Sequence, residues 1–440
     1  MRSSLLLLAG CLLPPSLASA SEDGRPNKFK KWRQENPPKM VVFGDSNGDT
    51  GRRFNAPASF EFEDIGRWPW RRMFDGPDSD KKTAAYMPME GTPTNGKVWP
   101  TWLRIPDQEH NFATSSATAT DAFRSRESCT GYTGDGEETP PGPTATLDEQ
   151  INRYFYEIVG KTDETLDYTH VIFIGTNELS RVVQALSRYA LGAALVGPNY
   201  QDPVDFDRVF EVDTVTGFPV LDGDGLPVPT FVPMVEEVIG AWTAGITRLI
   251  EAGVTGRILL ASIGSPKGLP GVFGTPNAVI LDQVAQGLRA GAQGIAAAFP
   301  QVRMLDMYTL FAALVDEPSI FEDLGFTRGE GSLLAESCVS FNFSIDDTAE
   351  IMGTQALRHP DCQAQECALC ADGNSPCQNC FTDNPAITKC DDPSSKIFYD
   401  PIHFTTDFHL VFGEAIRQCS KDSPNFDRPL VGVMCPAEVV

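Results

Sequence analysis

The sequence has few histidines, a shortage of basic residues and almost no long apolar runs. Lysine and arginine number 35 against 59 aspartates and glutamates, which gives a formal net charge of −24. So acidic a chain is poorly suited to nucleic-acid backbones or anionic membrane surfaces. After residue 20, no apolar run approaches the roughly 20 residues that cross a bilayer. The sequence therefore predicts no nucleic-acid partner and no integral-membrane segment.

The start of the chain has the three parts of a secretory signal peptide. Arg2 supplies a positive charge, the apolar stretch LLLLAGCLLPP follows, and Ala18-Ser19-Ala20 offers small residues for cleavage. We therefore expect residues 1–20 to be removed and the mature chain to be secreted and extracellular. Residues 21–39, with a basic cluster in their middle, are expected to form a solvated N-terminal arm.

Cysteine usage agrees with secretion. Ten of the 11 cysteines lie beyond the signal peptide, an even number that allows up to five disulfides in an oxidising compartment. Most of them fall in 338–390, which we interpret as a disulfide-bonded insertion. The C-x-x-C spacings that begin at Cys367 and Cys377 would also suit zinc. Asn342 begins an N-glycosylation acceptor, with an unmodified loop as the alternative.

Short apolar strands alternate with amphipathic helices along most of the chain. Four runs indicate buried strands: KMVVFG from Lys39, HVIFIG from His170, RILLASIG from Arg257 and VRMLDMY from Val302. Strands that are apolar on both faces and separated by helices predict a three-layer α/β/α sandwich around a parallel central sheet. We expect residues 40–440 to form one such domain, with a surface excursion at 198–232.

Helices are predicted by spacing and by caps. Thr146 to Glu149 has the spacing of a capping box, and apolar residues follow it at helical period up to Ile158. A second stripe runs over 235–250. The final helix is expected to begin near Thr405 or Thr406.

The first strand ends in the turn Gly44-Asp45-Ser46. In parallel sheets, sites form at the carboxyl ends of the strands, so we expect Ser46 and Asn177 to lie at the same edge. A serine nucleophile needs an imidazole to take its proton and a carboxylate to hold that imidazole. Asp45 is expected to hold the turn rather than to act as a catalytic acid.

Only five histidines are available as the base. His403 stands in YDPIHF, three residues after Asp400, and at that spacing two side chains can lie on one side of a turn. His409 is two residues from Asp407 on a predicted helix, where side chains point apart, so we expect it to pack. Three others lie in places less suited to a base: His110, His170 and His359.

Four ordered blocks resemble the GDSL family of serine esterases and lipases, also called SGNH hydrolases. VVFGDSNGDTG (41–51) is similar to the first block and NFATSSATA (111–119) to the second. IGTNE (174–178) is similar to the third and YDPIHF (399–404) to the last. The resemblance covers most of residues 40–418 and implies the flavodoxin-like SGNH hydrolase fold.

The resemblance also implies a role for each matched residue. It makes Ser46 the nucleophile, His403 the general base and Asp400 the carboxylate that orients it. The oxyanion donors would be the backbone N–H groups of Ser46 and Ser116 and the side-chain amide of Asn177. The family usually has glycine where this chain has the serine pair ending at Ser116, so that donor depends on its backbone angles.

The expected function is hydrolysis of carboxylic esters through an acyl-serine intermediate, as in a lipase or acetyl esterase, without metal or organic cofactor. The expected substrates are small esters, lipids or acetylated carbohydrates, and the expected state is a monomer. One alternative is a catalytically inactive secreted binding protein on the same fold. A second is a metal-dependent hydrolase that uses the Cys/His-rich region.

Overall fold

The computed structural model describes residues 36–50, 94, 96–106, 109–114, 117–120, 146–159, 161–179, 210–216, 220, 221, 223, 228, 230–270, 272, 277–328, 336–341, 387–399, 403–428 and 430–435. Residues from Pro38 to Val440 group as one compact unit. The predicted signal peptide and the Asn342 acceptor lie outside the described residues. So do most of the 198–232 excursion and most of the 338–390 insertion.

Four parallel strands form one sheet, in the order in which they occur along the chain. They are β1 (Met40–Gly44), β2 (Thr169–Phe173), β3 (Ile258–Ala261) and β4 (Val302–Leu305). Nearly all their side chains are buried, as expected of strands covered on both faces. The four predicted strands are therefore confirmed, and with them an α/β fold around a parallel sheet.

A short extended segment, residues 110–114, continues the sheet on the other side of β1. Three backbone hydrogen bonds of 2.7–3.0 Å pair it with Val42 and Gly44, and its bridge to Val42 is parallel. In the chain this segment comes between β1 and β2, yet in space it lies outside β1. The five parallel segments, numbered along the chain, are therefore arranged 2-1-3-4-5.

Helices occupy most of the connections. The described α-helices are α1 (Trp99–Leu103), α2 (Leu147–Tyr154), α3 (Val232–Glu251), α4 (Asn277–Ala298), α5 (Met307–Asp316), α6 (Ser319–Glu322), α7 (Thr406–Cys419) and α8 (Val431–Met434). The helix predicted to reach Ile158 does so, but its last part, Phe155–Val159, is a π-helical turn. Short 3₁₀ turns cover Pro266–Gly268 and Pro393–Ser395. A separate antiparallel pair consists of β5 (Val339–Phe341) and β6 (Ile387–Lys389).

Two helix starts carry the predicted caps. The Thr146 hydroxyl accepts the N–H of Glu149 at 3.3 Å, and the Glu149 carboxylate accepts the N–H of Thr146 at 3.0 Å, which completes a capping box. The Thr405 hydroxyl accepts the N–H of Phe408 at 3.3 Å and begins α7. Each cap fixes the residue at which its helix begins. The second also fixes the chain just before it, where His403 lies.

Successive strand side chains point to opposite faces of the sheet. On one face they pack against α2, α3 and α4 in a continuous apolar core, whose members include Val41, Phe43, Ile172, Leu260, Trp242 and Val284. On the other face the Phe173 ring lies 5.8 Å from the Phe412 ring of α7. Phe412 also meets Trp99 of α1, with ring centroids 6.4 Å apart. Helices therefore contact both faces.

Two disulfides lie within the described part of the chain. Cys338–Cys390 joins the two ends of the cysteine-rich insertion, and Cys419–Cys435 joins the end of α7 to the end of α8. The remaining cysteines fall outside the described residues. None of the described helices combines the length and the apolar character needed to cross a bilayer.

Candidate active site

Ser46 and His403 meet beyond the carboxyl end of β1, although 357 positions separate them in the chain. The His403 Nε2 atom lies 2.9 Å from the Ser46 Oγ atom. The two residues are only 7% and 5% exposed for serine and histidine respectively. At this distance a neutral imidazole can take the serine proton directly. The contact expected from the order of the motifs is thus present.

The turn that carries Ser46 is held at both ends. The N–H of Asp45 donates to the C=O of Phe173 at 3.1 Å, which ties the turn to the end of β2. The Asp45 Oδ1 atom accepts the N–H of Asn47 at 3.1 Å, the local contact that short acidic side chains make in turns. Asp45 therefore holds the turn, as the sequence predicts.

Gln150, on α2, fixes the end of β1 immediately before this turn. Its Oε1 atom accepts the N–H of Gly44 at 2.8 Å, and its Nε2 atom donates to the C=O of Gly44 at 2.9 Å. Sequence reasoning missed this fully buried amide. One signal pointed to it: Gln150 is a polar residue on the apolar stripe of α2, beside Leu147 and Ile151.

His403 belongs to a tight reversal of the chain that precedes α7. The N–H of Tyr399 donates to the C=O of His403 at 2.8 Å, and the N–H of Thr405 donates to the C=O of Ile397 at 2.8 Å. This pairing, together with the Thr405 cap, sets the position of the imidazole. Asp400 lies outside the described residues, so its contact with His403 stays a prediction.

Asn177 follows β2, and Ser46 follows β1. The two strands are paired in parallel register, with Gly44 opposite Phe173, so both residues lie at the same sheet edge, as predicted. The Asn177 Nδ2 atom donates to the C=O of Ala117 at 2.7 Å. Ser116 lies outside the described residues. Ala117, the residue after Ser116, therefore binds the side chain of Asn177, another candidate oxyanion donor.

Two fully buried acids, Asp45 and Glu178, stand at this edge. Burial raises the pKa of Asp45 to about 6, against the opposing effects of the Asn47 N–H and the His403 charge. Burial also raises the pKa of Glu178 to about 7, and repulsion by Asp45 adds to that rise. The Glu178 Oε1 atom accepts the N–H of Ala119 at 2.5 Å. Sequence reasoning gave Glu178 no role in the site.

Two other described histidines, His409 and His170, are buried in the interior of the fold. His409 lies in α7 with 1% exposure, and its ring meets the Phe404 ring edge-on at 5.5 Å, which confirms it as a packing residue. Burial and the neighbouring His403 lower the pKa of His409 to about 3, which keeps it neutral. His170 binds the C=O of Tyr168 at 2.9 Å, and burial lowers its pKa to about 4.

No protein-family model matches the chain, and no curated protein matches it significantly.

Proposed function

We propose that the protein hydrolyses carboxylic esters as a serine hydrolase of the GDSL (SGNH) type. The observation that carries this proposal is the 2.9 Å contact between His403 Nε2 and Ser46 Oγ. It brings together a nucleophile and a base from opposite ends of the chain. They meet at the sheet edge where α/β proteins form their sites.

The proposed chemistry uses these two groups together with the oxyanion donors and the carboxylate that the motifs imply. His403 Nε2 takes the proton of Ser46 Oγ as that oxygen attacks the ester carbonyl, and the imidazolium then gives the proton to the departing alkoxide. Water, activated by the same imidazole, releases the acid from acyl-Ser46. The developing oxyanion accepts hydrogen bonds from the backbone N–H of Ser46, the Asn177 amide and the backbone N–H of Ser116. Asp400 orients the imidazole.

The finer features of the fold support this assignment. The 2-1-3-4-5 arrangement of parallel segments is the flavodoxin-like order, and helices contact both faces of the sheet. We therefore infer a three-layer α/β/α sandwich of the SGNH hydrolase kind. The two disulfides support an oxidising, extracellular location. The substrates we propose are small esters, lipids or acetylated carbohydrates.

Replacing the nucleophile tests the proposal. We expect Ser46→Ala to lower kcat toward a short p-nitrophenyl acyl ester by at least about 10³-fold, because the acyl-enzyme can no longer form. The exposed Ser319→Ala serves as the matched control and should keep full activity. A folded Ser46→Ala protein with wild-type turnover would refute the mechanism.

Covalent labelling separates the alternatives. A serine-directed phosphonate should modify the wild type at Ser46 and leave Ser46→Ala unlabelled, and a chelator should not change the rate. A wild-type protein inert to both ester and phosphonate would favour the binding-protein alternative. Loss of activity with the chelator would favour the metal-dependent hydrolase.

A further inference from the structure

Thr94 holds the backbone of the residue that follows His403. Its Oγ1 atom donates to the C=O of Phe404 at 2.6 Å, although 310 positions separate the two residues in the chain. Thr94 and Phe404 are both 1% exposed, and a buried carbonyl is costly to leave without a donor. The Thr94 hydroxyl therefore fixes the backbone one residue beyond the candidate base.

The start of α7 is bound by the same part of the chain. The Trp102 Nε1 atom donates to the C=O of Thr406 at 3.0 Å, and the Thr406 Oγ1 atom donates to the C=O of Lys97 at 2.9 Å. Gly96 permits this close approach, because a Cβ at that position would come within 2.9 Å of the Thr406 hydroxyl. The first residue of the helix that follows the base is therefore tied to the chain around α1.

The clamp, our name for these three hydrogen bonds between residues 94–102 and 404–406, complements the pairing within the reversal. Phe398 and Phe404 form an antiparallel bridge in which the flanking residues exchange the hydrogen bonds. The C=O of Phe404 therefore points away from Phe398, and the clamp meets it from that other side. The backbone next to His403 is thus held from two sides, by its own reversal and by a distant part of the chain.

We propose that Thr94 is a positioning residue for His403. Through the clamp it holds the chain after His403, so that the Nε2 atom stays 2.9 Å from the Ser46 Oγ atom. A displacement of about 1 Å between reacting groups can cost on the order of 10²-fold in rate, so loosening the residue next to the base should lower turnover. The catalytic part of this inference rests on the proposed function, whereas the effect of the clamp on the backbone does not.

Amide hydrogen exchange tests the effect on the backbone without any substrate. The N–H groups of Tyr399 and Thr405 close the reversal, so their exchange rates report how readily it opens. Thr94→Val keeps the shape of the side chain but removes the hydroxyl that binds Phe404. We expect it to raise both exchange rates about tenfold, the effect of losing one hydrogen bond of ordinary strength.

Thr165→Val is the matched control for loss of a buried threonine hydroxyl. Thr165 is 2% exposed, and its Oγ1 atom lies 2.9 Å from the hydroxyl of Tyr154. Thr165 precedes β2, at the amino end of the sheet, so this variant should leave the two exchange rates unchanged. Unchanged rates in Thr94→Val would overturn the inference. So would an equal rise in both variants, because the effect would then be a general loss of stability.

Kinetics on a short p-nitrophenyl acyl ester tests the catalytic part. We expect kcat to fall about tenfold in Thr94→Val with KM little changed, because the base is displaced while substrate binding is intact. Thr94→Ser keeps the hydroxyl and should restore most of the loss. Trp102→Phe removes a second bond of the clamp and should lower kcat in the same way, whereas Thr165→Val should keep the wild-type kcat. A raised KM with unchanged kcat in Thr94→Val would overturn the positioning role.

The two measurements separate this inference from the proposed function. If the exchange rates rise in Thr94→Val but the wild type hydrolyses no ester, the proposed function fails and the clamp stands. If Ser46-dependent hydrolysis keeps its wild-type kcat in both Thr94→Val and Trp102→Phe, the positioning role fails and the function stands.

Discussion

At the scale of single residues, the Asn177 side chain binds the residue that follows Ser116, another of the expected oxyanion donors. Its Nδ2 atom donates to the C=O of Ala117 at 2.7 Å. An amide nitrogen carries two hydrogens and has no titration near neutral pH, so it is suited to donating to an oxyanion at any working pH. The bond to Ala117 also fixes the rotamer of the amide before substrate binds, which is how preorganised donors lower a barrier.

We expect Asn177→Ala to lower kcat by about 10²- to 10³-fold, the usual effect of losing one oxyanion donor, with little change in KM. Steady-state kinetics on a short p-nitrophenyl ester measures this effect. The control is Asn152→Ala on the outer face of α2, where the exposed amide binds Asp148. Equal losses in the two variants, or a raised KM with unchanged kcat, would contradict the role.

Some site residues could be predicted from the sequence because chemistry restricts them strongly. A nucleophile needs a particular turn after a strand, and five histidines leave few choices of base, so Ser46 and His403 followed from motif order. Gln150 and Glu178 could not be found in this way. A buried amide or acid is recognisable only through its partners, and the partners of Gln150 and Glu178 lie 106 and 59 positions away.

At the scale of elements, the end of β1 depends on α2. The backbone groups at the end of β1 are buried, and buried backbone groups are costly to leave unpaired. Gln150 supplies both an acceptor and a donor to Gly44, two positions before Ser46. There is little room to adjust, because a side chain on Gly44 would come within 2.8 Å of the C=O of Phe173.

We expect Gln150→Met to destabilise the protein by about 1–3 kcal/mol, because it removes the acceptor of the buried Gly44 N–H, whereas the Gly44 C=O still accepts the N–H of Thr114. The strand end should also shift, and with it Ser46, so kcat should fall measurably. Urea denaturation and initial rates measure the two effects. Gln293→Met, at an exposed position of α4, is the control and should change neither. A fully active and stable Gln150→Met would show that α2 does not position the nucleophile.

The strands and the helix starts could be predicted from local sequence patterns, whereas the additional sheet segment could not. β1 to β4 are buried on both faces, so almost every side chain is apolar, and the caps of α2 and α7 use short local contacts. Residues 110–114 read His-Asn-Phe-Ala-Thr, which carries no such pattern. Their extended pairing with Val42 comes from tertiary contact rather than from composition.

At the scale of the whole molecule, the two described disulfides serve different regions. Cys338 and Cys390 close the base of the insertion, and the N–H of Cys338 donates to the C=O of Phe398 at 2.9 Å, just before the reversal that carries His403. Cys419 and Cys435 tie α7 to α8 at the opposite end of α7 from that reversal. Both should stabilise the fold, but only Cys338–Cys390 lies next to the segment that carries His403.

Removing each disulfide separately tests this division. Cys338 and Cys390 are 52 positions apart in the chain, and Cys419 and Cys435 are 16 apart. Replacing both cysteines of a pair with alanine releases a closed loop of that length. Chain entropy gives losses in the free energy of unfolding of about 4 and about 3 kcal/mol respectively. We expect only the first pair to lower kcat, because only its loss loosens the chain that holds His403. Initial rates are measured well below both melting temperatures, so that unfolding does not enter. Equal kcat values for the two double variants would mean that the base of the insertion does not position the imidazole.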